Sequence, residues 1–300
     1  MADPVTVFDR ATLRRRRDRA AAGFKGHDFL FREVAARLVE RLGDVRRRFP
    51  LALDLGAHGG LLAEALAGRF GIERLVQTDL STAMLRAAQG PRVAADEEAL
   101  PFAPGVFDLA LSLMSLHWAN DLSGVLVQTR RSLRADGLFL AAMFGVGTLR
   151  ELRESLADAE IAVEGGASPR VSPFVEVRDA GALLQRAGFA LPVVDRDPIT
   201  VSYPDALALM RDLRGMGETN ALAARPRTPA RRETLARAAA IYAERFAGRD
   251  GRIPATFEIV YLIGWAPHAD QPKPLKPGSA AASLAEALGA ADPPIPPGEK

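Results

Sequence analysis

The sequence predicts a doubly wound α/β fold with a mostly parallel sheet, and three observations carry that reading. Short apolar runs alternate with stretches of helical periodicity through the first half of the chain. One of those runs, Leu51-Ala-Leu-Asp-Leu55, passes straight into a Gly-rich turn. Another, Phe107 to Met114, is apolar almost throughout, as a central strand buried on both faces must be. Strands separated by helices in this way pair in parallel through right-handed crossovers.

Each element has its own local reason. Phe29, Leu30, Val34, Leu38 and Leu42 recur at helical spacing, which predicts an amphipathic helix ahead of the first strand. Leu51 to Leu55 is that strand, Leu61 to Phe70 a helix and Arg74 to Asp79 the next strand. Ser81 can accept a bond from the first turn of a helix that carries Met84 and Leu85. Beyond the run at Phe107 come a helix over Leu122 to Leu133, a turn at Asp136-Gly137 and a strand over Leu138 to Phe144.

The second half differs in kind. Helices are expected over Leu149 to Val163 and Val177 to Ala187, with Gly188 as the stop before a strand near Leu191 to Val201. Two helices fit between Pro204 and Phe246, and Ala255 to Trp265 has the β-branched and aromatic content of a strand. From Pro267 onward Pro, Gly and Ala dominate, a composition that does not build a packed core. The organisation read from this is one domain over 1–268, with N-terminal helices in 8–48, a helical insertion over about 203–252 and a disordered tail over 269–300.

Composition narrows the chemistry. The chain has 300 residues, no cysteine and a formal net charge of +2. Without cysteine there is no disulfide, no thiolate nucleophile and no sulfur-ligated zinc. No apolar run approaches the ~20 residues of a membrane helix, and a cytoplasmic protein is expected. Arginines cluster at 14–17 and 19 and again at 46–48, without the aromatic interleaving of a nucleic-acid binder. They are expected on solvated helix faces or ends, with docking of an acidic partner as the second use. Asp3, Asp9 and Asp18 interrupt the basic start, against a transit peptide.

The segment that carries chemistry is Asp54-Leu-Gly56-Ala-His58-Gly59-Gly60, between strand and helix. Glycines there let the backbone approach a ligand at the carboxyl edge of a sheet. Asp79 ends the second strand at roughly the 20-residue distance of a ribose-binding acid. Asp96-Glu97-Glu98, just before Leu100-Pro101-Phe102, can accept from an adenine amino group. Plainer readings exist for both: Asp79 as a favourable charge at a helix start, the acidic run as a solvated loop. A dinucleotide dehydrogenase is disfavoured, because Gly56, Gly59 and Gly60 depart from its Gly-x-Gly-x-x-Gly spacing.

With Asp54 opening the turn and Leu100-Pro101-Phe102 ahead of a strand, the chain resembles class I methyltransferases that use S-adenosylmethionine. The resemblance implies a Rossmann-like, seven-stranded sheet. It also implies S-adenosyl-L-methionine as cofactor, its methionine end framed by Asp54, Gly56 and Gly60. Asp79 would hold the ribose hydroxyls, Met84 would pack near the adenine, and Asp96 and Glu97 would line the adenine pocket. His58 stands where that family usually has its second glycine.

A narrower resemblance rests on Val7-Phe-Asp-Arg10, Ser115-Leu-His-Trp118 with Asn120-Asp-Leu122, Ser168-Pro-Arg-Val-Ser-Pro-Phe174, Met216-Gly-Glu-Thr-Asn220 and Ile253-Pro-Ala-Thr-Phe257. On these the chain is similar to the complex I assembly factors that hydroxylate a protein arginine, and to their bacterial relatives. That implies an arginine of an NADH-dehydrogenase subunit as substrate, and work at the periphery of the inner membrane on the respiratory complex.

Candidate substrate-side residues follow. His117 and Trp118 lie just beyond the fourth strand, where a proton acceptor or guanidinium contact and an aromatic wall are expected; packing under a helix is the plain alternative. Arg170, Ser172 and Phe174 sit in a polar, Pro-bounded loop, and Asn120 and Asn220 are grouped with them. Glu218 lies where Gly215 and Gly217 interrupt a helix, and can pair with a substrate guanidinium or simply with Arg214. His27, His58, His117 and His268 are the only histidines, and no metal site is expected from their spacing. Two other functions stay open: methyl transfer to a small-molecule or carrier-bound substrate, and an assembly chaperone with a structural cofactor.

Overall fold

The computed structural model describes residues 6–272. Among the described residues one compact unit runs as far as Pro267, and a second begins at His268. Of the expected tail, all but 269–272 lies outside the described residues.

Two helices precede the sheet. Asp9 caps α1 (Arg10–Ala20) by accepting from Thr12 N–H, and α2 (Phe29–Gly43) buries Leu30, Val34, Leu38 and Leu42 on one face, the spacing the sequence shows. The first half then runs β1 (Leu51–Leu55), α3 (Leu61–Leu66), β2 (Arg74–Asp79), α4 (Thr82–Ala87), β3 (Arg92–Ala94), β4 (Phe107–Leu113), α5 (Leu122–Ser132) and β5 (Leu133–Phe144). After α6 (Arg150–Glu164) and α7 (Val177–Arg186), β6 (Ala190–Tyr203) leads into α8 (Ala206–Gly215), α9 (Arg232–Phe246) and β7 (Ile253–Trp265).

The seven strands form one sheet in the order β3-β2-β1-β4-β5-β7-β6. All neighbours are parallel except β7, which runs antiparallel to both β5 and β6. β4 lies at the centre and feeds both cores: Leu109, Leu111 and Leu113 join the cluster with α2, while Phe107 and Ala110 join the one with α5 and α7. The fold class is therefore the expected one.

Differences have local causes. Ala67 and Gly68 take φ of 46° and 70°, so α3 stops at Leu66 rather than reaching Phe70. β3 is three residues at the sheet edge, too short to leave a periodic signal. β5 starts already at Leu133, with Asp136 at φ 60° and a register shift against β4. The arginine cluster of α1 is the larger correction. Arg14 is exposed on the solvated face, but Arg17 is fully buried. No described helix is long and apolar enough to cross a membrane.

Candidate functional site

The carboxyl ends of β1, β2 and β4 meet where the Gly-rich turn leaves the sheet. Gly56 (φ 79°) and Ala57 each donate N–H to Thr78 O at 2.9 Å, which ties the turn to β2. A side chain at Gly56 would collide with Ser115, so only glycine fits. His58 itself turns left-handed at φ 42°. Its ring is buried against Phe31 and Phe24, with centroids 4.9 and 6.1 Å away, and Nε2–H donates to Met114 O at 3.1 Å. Burial, reinforced by the Arg17 guanidinium, lowers the imidazole pKa to about 4, so the ring is neutral. The side chain in place of the second glycine thus packs inward as a core group.

Three carboxylates surround this turn. Asp54 is fully buried, and neither of its oxygens has a hydrogen-bond partner among the described residues. Burial first, then the charge of Asp79, pushes its pKa well above the usual carboxylate range. Asp79 Oδ1 accepts from Ser81 N–H at 2.7 Å and Oδ2 from His58 N–H at 3.2 Å, so one acid orders the turns on both sides of it. Glu97 is buried as well; burial opposes its charge, yet Arg10, Arg17 and Ser115 hold its pKa down at about 2. The acidic run is thus no solvated loop: Asp96 Oδ1 lies 2.5 Å from Arg10 Nη2, and Glu97 pairs with the same nitrogen. Met84 packs into the core from α4, 1% exposed, and Gly60 starts α3 against Ala88 and Gln77.

The chemistry of this acceptor set suits a ligand that presents an ammonium, ribose hydroxyls and an exocyclic amine, as S-adenosylmethionine does. The space does not. Arg17 Nη1 lies 3.5 Å from Asp79 Oδ1 and 3.6 Å from Glu97 Oε1, and its Nη2 donates to Ser115 Oγ at 3.2 Å. The arginine side chain fills the volume between the acids. Sequence reasoning missed Arg10, Arg17 and Ser115; the signal was Arg10 and Arg17 seven apart on one helix face.

Beyond Trp118 opens a cavity of about 510 Å³ between α6, α8 and the loops at 168–174 and 216–230. Trp118, Arg170, Ser172, Phe174, Glu218 and Asn220 all line it, with Leu152, Leu156 and Phe144 as apolar wall. Glu218 Oε2 accepts from Trp118 Nε1–H at 2.7 Å and from His117 Nε2 at 3.1 Å, rather than from Arg214. Its Oε1 is buried with no partner among the described residues. Burial opposes the charge on Glu218, but His117 brings its pKa below the usual value. His117 lies beneath the cavity floor, packed on Phe144, Trp118 and Phe174 at 4.7, 5.3 and 5.8 Å.

Asn120 is not brought to this cavity. Its Oδ1 accepts from the N–H groups of Val7 and Phe8 at 2.8 and 2.7 Å, and its Nδ2 donates to Phe8 O, which fastens the N-terminal segment. Arg170 is held at the cavity by Glu160, an acid the sequence did not single out; the same carboxylate accepts from Ser168 N–H and Oγ at 2.7 Å.

A methyltransferase-domain family matches residues 53–141, the strands and turns that hold the acids. Over 289 residues the chain is 46% identical to a Danio rerio protein named arginine-hydroxylase NDUFAF5, mitochondrial, covering 94% of this chain and 89% of that one. A malonyl-[acyl-carrier protein] O-methyltransferase of Laribacter hongkongensis is 36% identical over 90% of this chain and 94% of its own. The fold recurs in phosphoethanolamine N-methyltransferase 2 of Haemonchus contortus, solved with S-adenosyl-L-methionine: TM-score 0.52, 15% identity, 83% of this chain and 57% of that one. The chain belongs to the class I S-adenosylmethionine-dependent methyltransferase superfamily and, within it, to the family of the arginine hydroxylase NDUFAF5.

Proposed function

We propose that this protein binds S-adenosyl-L-methionine and hydroxylates an arginine side chain in a subunit of NADH dehydrogenase during assembly of that complex. The observation that carries the reading is Glu218, a buried carboxylate with one oxygen lacking a partner among the described residues, set in a cavity with an apolar stretch of wall at Leu152, Phe144 and Phe174. An arginine complements both parts: its methylenes pack on Leu152, Phe144 and Phe174 while its guanidinium donates to Glu218 Oε1. Likeness along nearly the whole chain to a protein named as an arginine hydroxylase supports the same substrate.

On this reading Glu218 is the catalytic residue and His117 its positioning partner. His117 fixes the Glu218 carboxylate, while Trp118, Arg170, Ser172, Phe174 and Asn220 shape the approach to it. With Arg17 out of the way, Asp54, Gly56 and Gly60 would hold the methionine end of the cofactor, Asp79 its ribose, and Asp96, Glu97 and Met84 its adenine. The cofactor brings a positively charged sulfonium to that acidic edge. Hydroxylation places one oxygen atom in a C–H bond of the arginine; with dioxygen as the oxidant, the other oxygen leaves as water with two electrons and two protons from an external reductant, both co-reactants coming from outside these residues.

A second reading has an observation in its favour. Arg16, Arg170, Arg214 and Arg225 all line the cavity, which suits a carboxylate-bearing acyl group on a carrier. The relative named as a malonyl-[acyl-carrier protein] O-methyltransferase supports it. Mass spectrometry of NADH-dehydrogenase subunits from cells with and without the gene separates the two. Loss of one oxygen's mass from an arginine in the deletion strain is the expected result. Loss of a methyl's mass points to conventional transfer on the same partner, and unchanged subunits in an assembled complex turn the search to acyl substrates.

A further inference from the structure

Helix α1 sends consecutive side chains to two sites. Arg16 reaches the cavity rim and donates to Asn220 O, while Arg17 enters the acidic edge between Asp79 and Glu97. About two turns before it, Arg10 engages Asp96 and Glu97 and donates to Trp118 O at 3.2 Å. Two arginines of one helix thus pair with the three acids that the proposed function gives to ribose and adenine.

Arg17 is badly suited to a permanent structural role. Although fully buried, its Nε and Nη1 have no hydrogen bond among the described residues, and both ion-pair distances exceed 3.4 Å. A guanidinium taken out of water is stabilised by charge only when its N–H groups also find acceptors in good geometry. Close by, Asp54 shows the opposite defect, a buried carboxylate that accepts no hydrogen bond among the described residues. The site therefore holds a poorly satisfied donor group and an unsatisfied acceptor that do not cure one another. A ligand carrying its own donors relieves Asp54, and satisfies Asp79 and Glu97 once Arg17 leaves.

We propose that α1 is a latch on the cofactor site: Arg17 and the cofactor compete for Asp79 and Glu97, and the cofactor binds only as the Arg17 side chain withdraws. The proposal rests on the cofactor reading above. It makes apparent affinity the product of intrinsic affinity and the fraction of molecules with the latch open.

The test compares the full chain with its Arg17→Met variant, which keeps an unbranched apolar stem and drops the charge. Calorimetric titration with S-adenosyl-L-methionine should show binding tightened by at least about five-fold in the variant. Binding that is unchanged or weaker in a folded variant overturns the latch and leaves the cofactor reading standing. If neither protein binds the cofactor, both readings fall together. Because unpairing Asp79 and Glu97 can prevent folding, the unaltered chain supplies a second measurement. In stopped-flow mixing followed by tryptophan fluorescence, the observed rate should level off with rising cofactor, as withdrawal becomes limiting. A rate that climbs linearly to the highest concentration overturns the proposal.

Discussion

The indole N–H of Trp118 donates to Glu218 Oε2 at 2.7 Å, joining the loop after β4 to the segment after α8 across the floor of the cavity. His117 reaches the same oxygen from below, so the carboxylate is fixed in direction while its buried Oε1 has no partner among the described residues. In Glu218→Gln the amide oxygen still accepts from Trp118, and the fold survives. Losing the charge removes a charge-assisted bond worth about 1.5–3 kcal/mol, so affinity for an arginine-containing substrate peptide should fall about 10- to 100-fold. Cofactor affinity should not move. Equal loss of both would place Glu218 in the framework rather than at the substrate.

Asp54 predicts that cofactor binding releases a proton. Burial and the nearby Asp79 favour its protonated form, whereas a bound ammonium requires the carboxylate. Affinity should therefore rise with pH until Asp54 is ionised, and the binding enthalpy should depend on the ionisation enthalpy of the buffer. Asp54→Asn should abolish that dependence. Identical enthalpies in phosphate and Tris would refute the linkage.

His58 predicts a stability profile in mild acid. Its folded pKa of about 4 lies below the ordinary 6.5, so the unfolded chain takes up the proton first. Stability is whole above pH 6.5 and falls as pH drops toward 4, by roughly 2–3 kcal/mol at pH 4.5. The contribution of Glu97, lowered to about 2, is lost only below its usual 4.5, and Asp54, raised well above the carboxylate range, acts with the opposite sign, so a loss of stability between 6.5 and 4.5 is the histidine's. His58→Asn keeps a residue that tolerates positive φ and should flatten urea midpoints across that window. A slope that persists in the variant would assign it elsewhere.

Glu160 holds the loop before Phe174 by accepting from Ser168 and Arg170 together. Glu160→Ala leaves these donors without a partner and should destabilise the chain by about 1–3 kcal/mol. Proteolysis should become faster between 165 and 176, and KM for the substrate should rise while cofactor affinity holds. A variant as resistant to protease as the parent would show that the loop is held by other contacts.

The parts of the site visible in the sequence are those fixed by neighbours along the chain. Gly56 sits in a turn between strand and helix, Asp79 precedes its own helix start, and Ser81 caps α4, so spacing alone finds them. The strands of the parallel half were legible for a related reason: burial on both faces leaves an unbroken apolar run. Arg17 left only its seven-residue spacing from Arg10 as a signal, because a charged residue is buried only where acids from remote strands converge on it. Asn120 misled for the converse reason. Its short motif lies close to Trp118, but its side chain is spent on the backbone of Val7 and Phe8. The early end of α3 turns on Ala67 in a left-handed conformation, which alanine composition does not announce.

One pairing in the sheet bears on how such proteins diversify. Tyr203, the last residue of β6, is the register partner of Ile253, the first of β7. The whole excursion that carries α8, Glu218 and α9 therefore leaves and rejoins the sheet at one strand pair. Its ends are already brought together by the ladder, so its length and content can change at little entropic cost. Natural selection can replace that excursion as a cassette, retargeting the enzyme from one acceptor to another while the acids at the far edge of the sheet are inherited untouched.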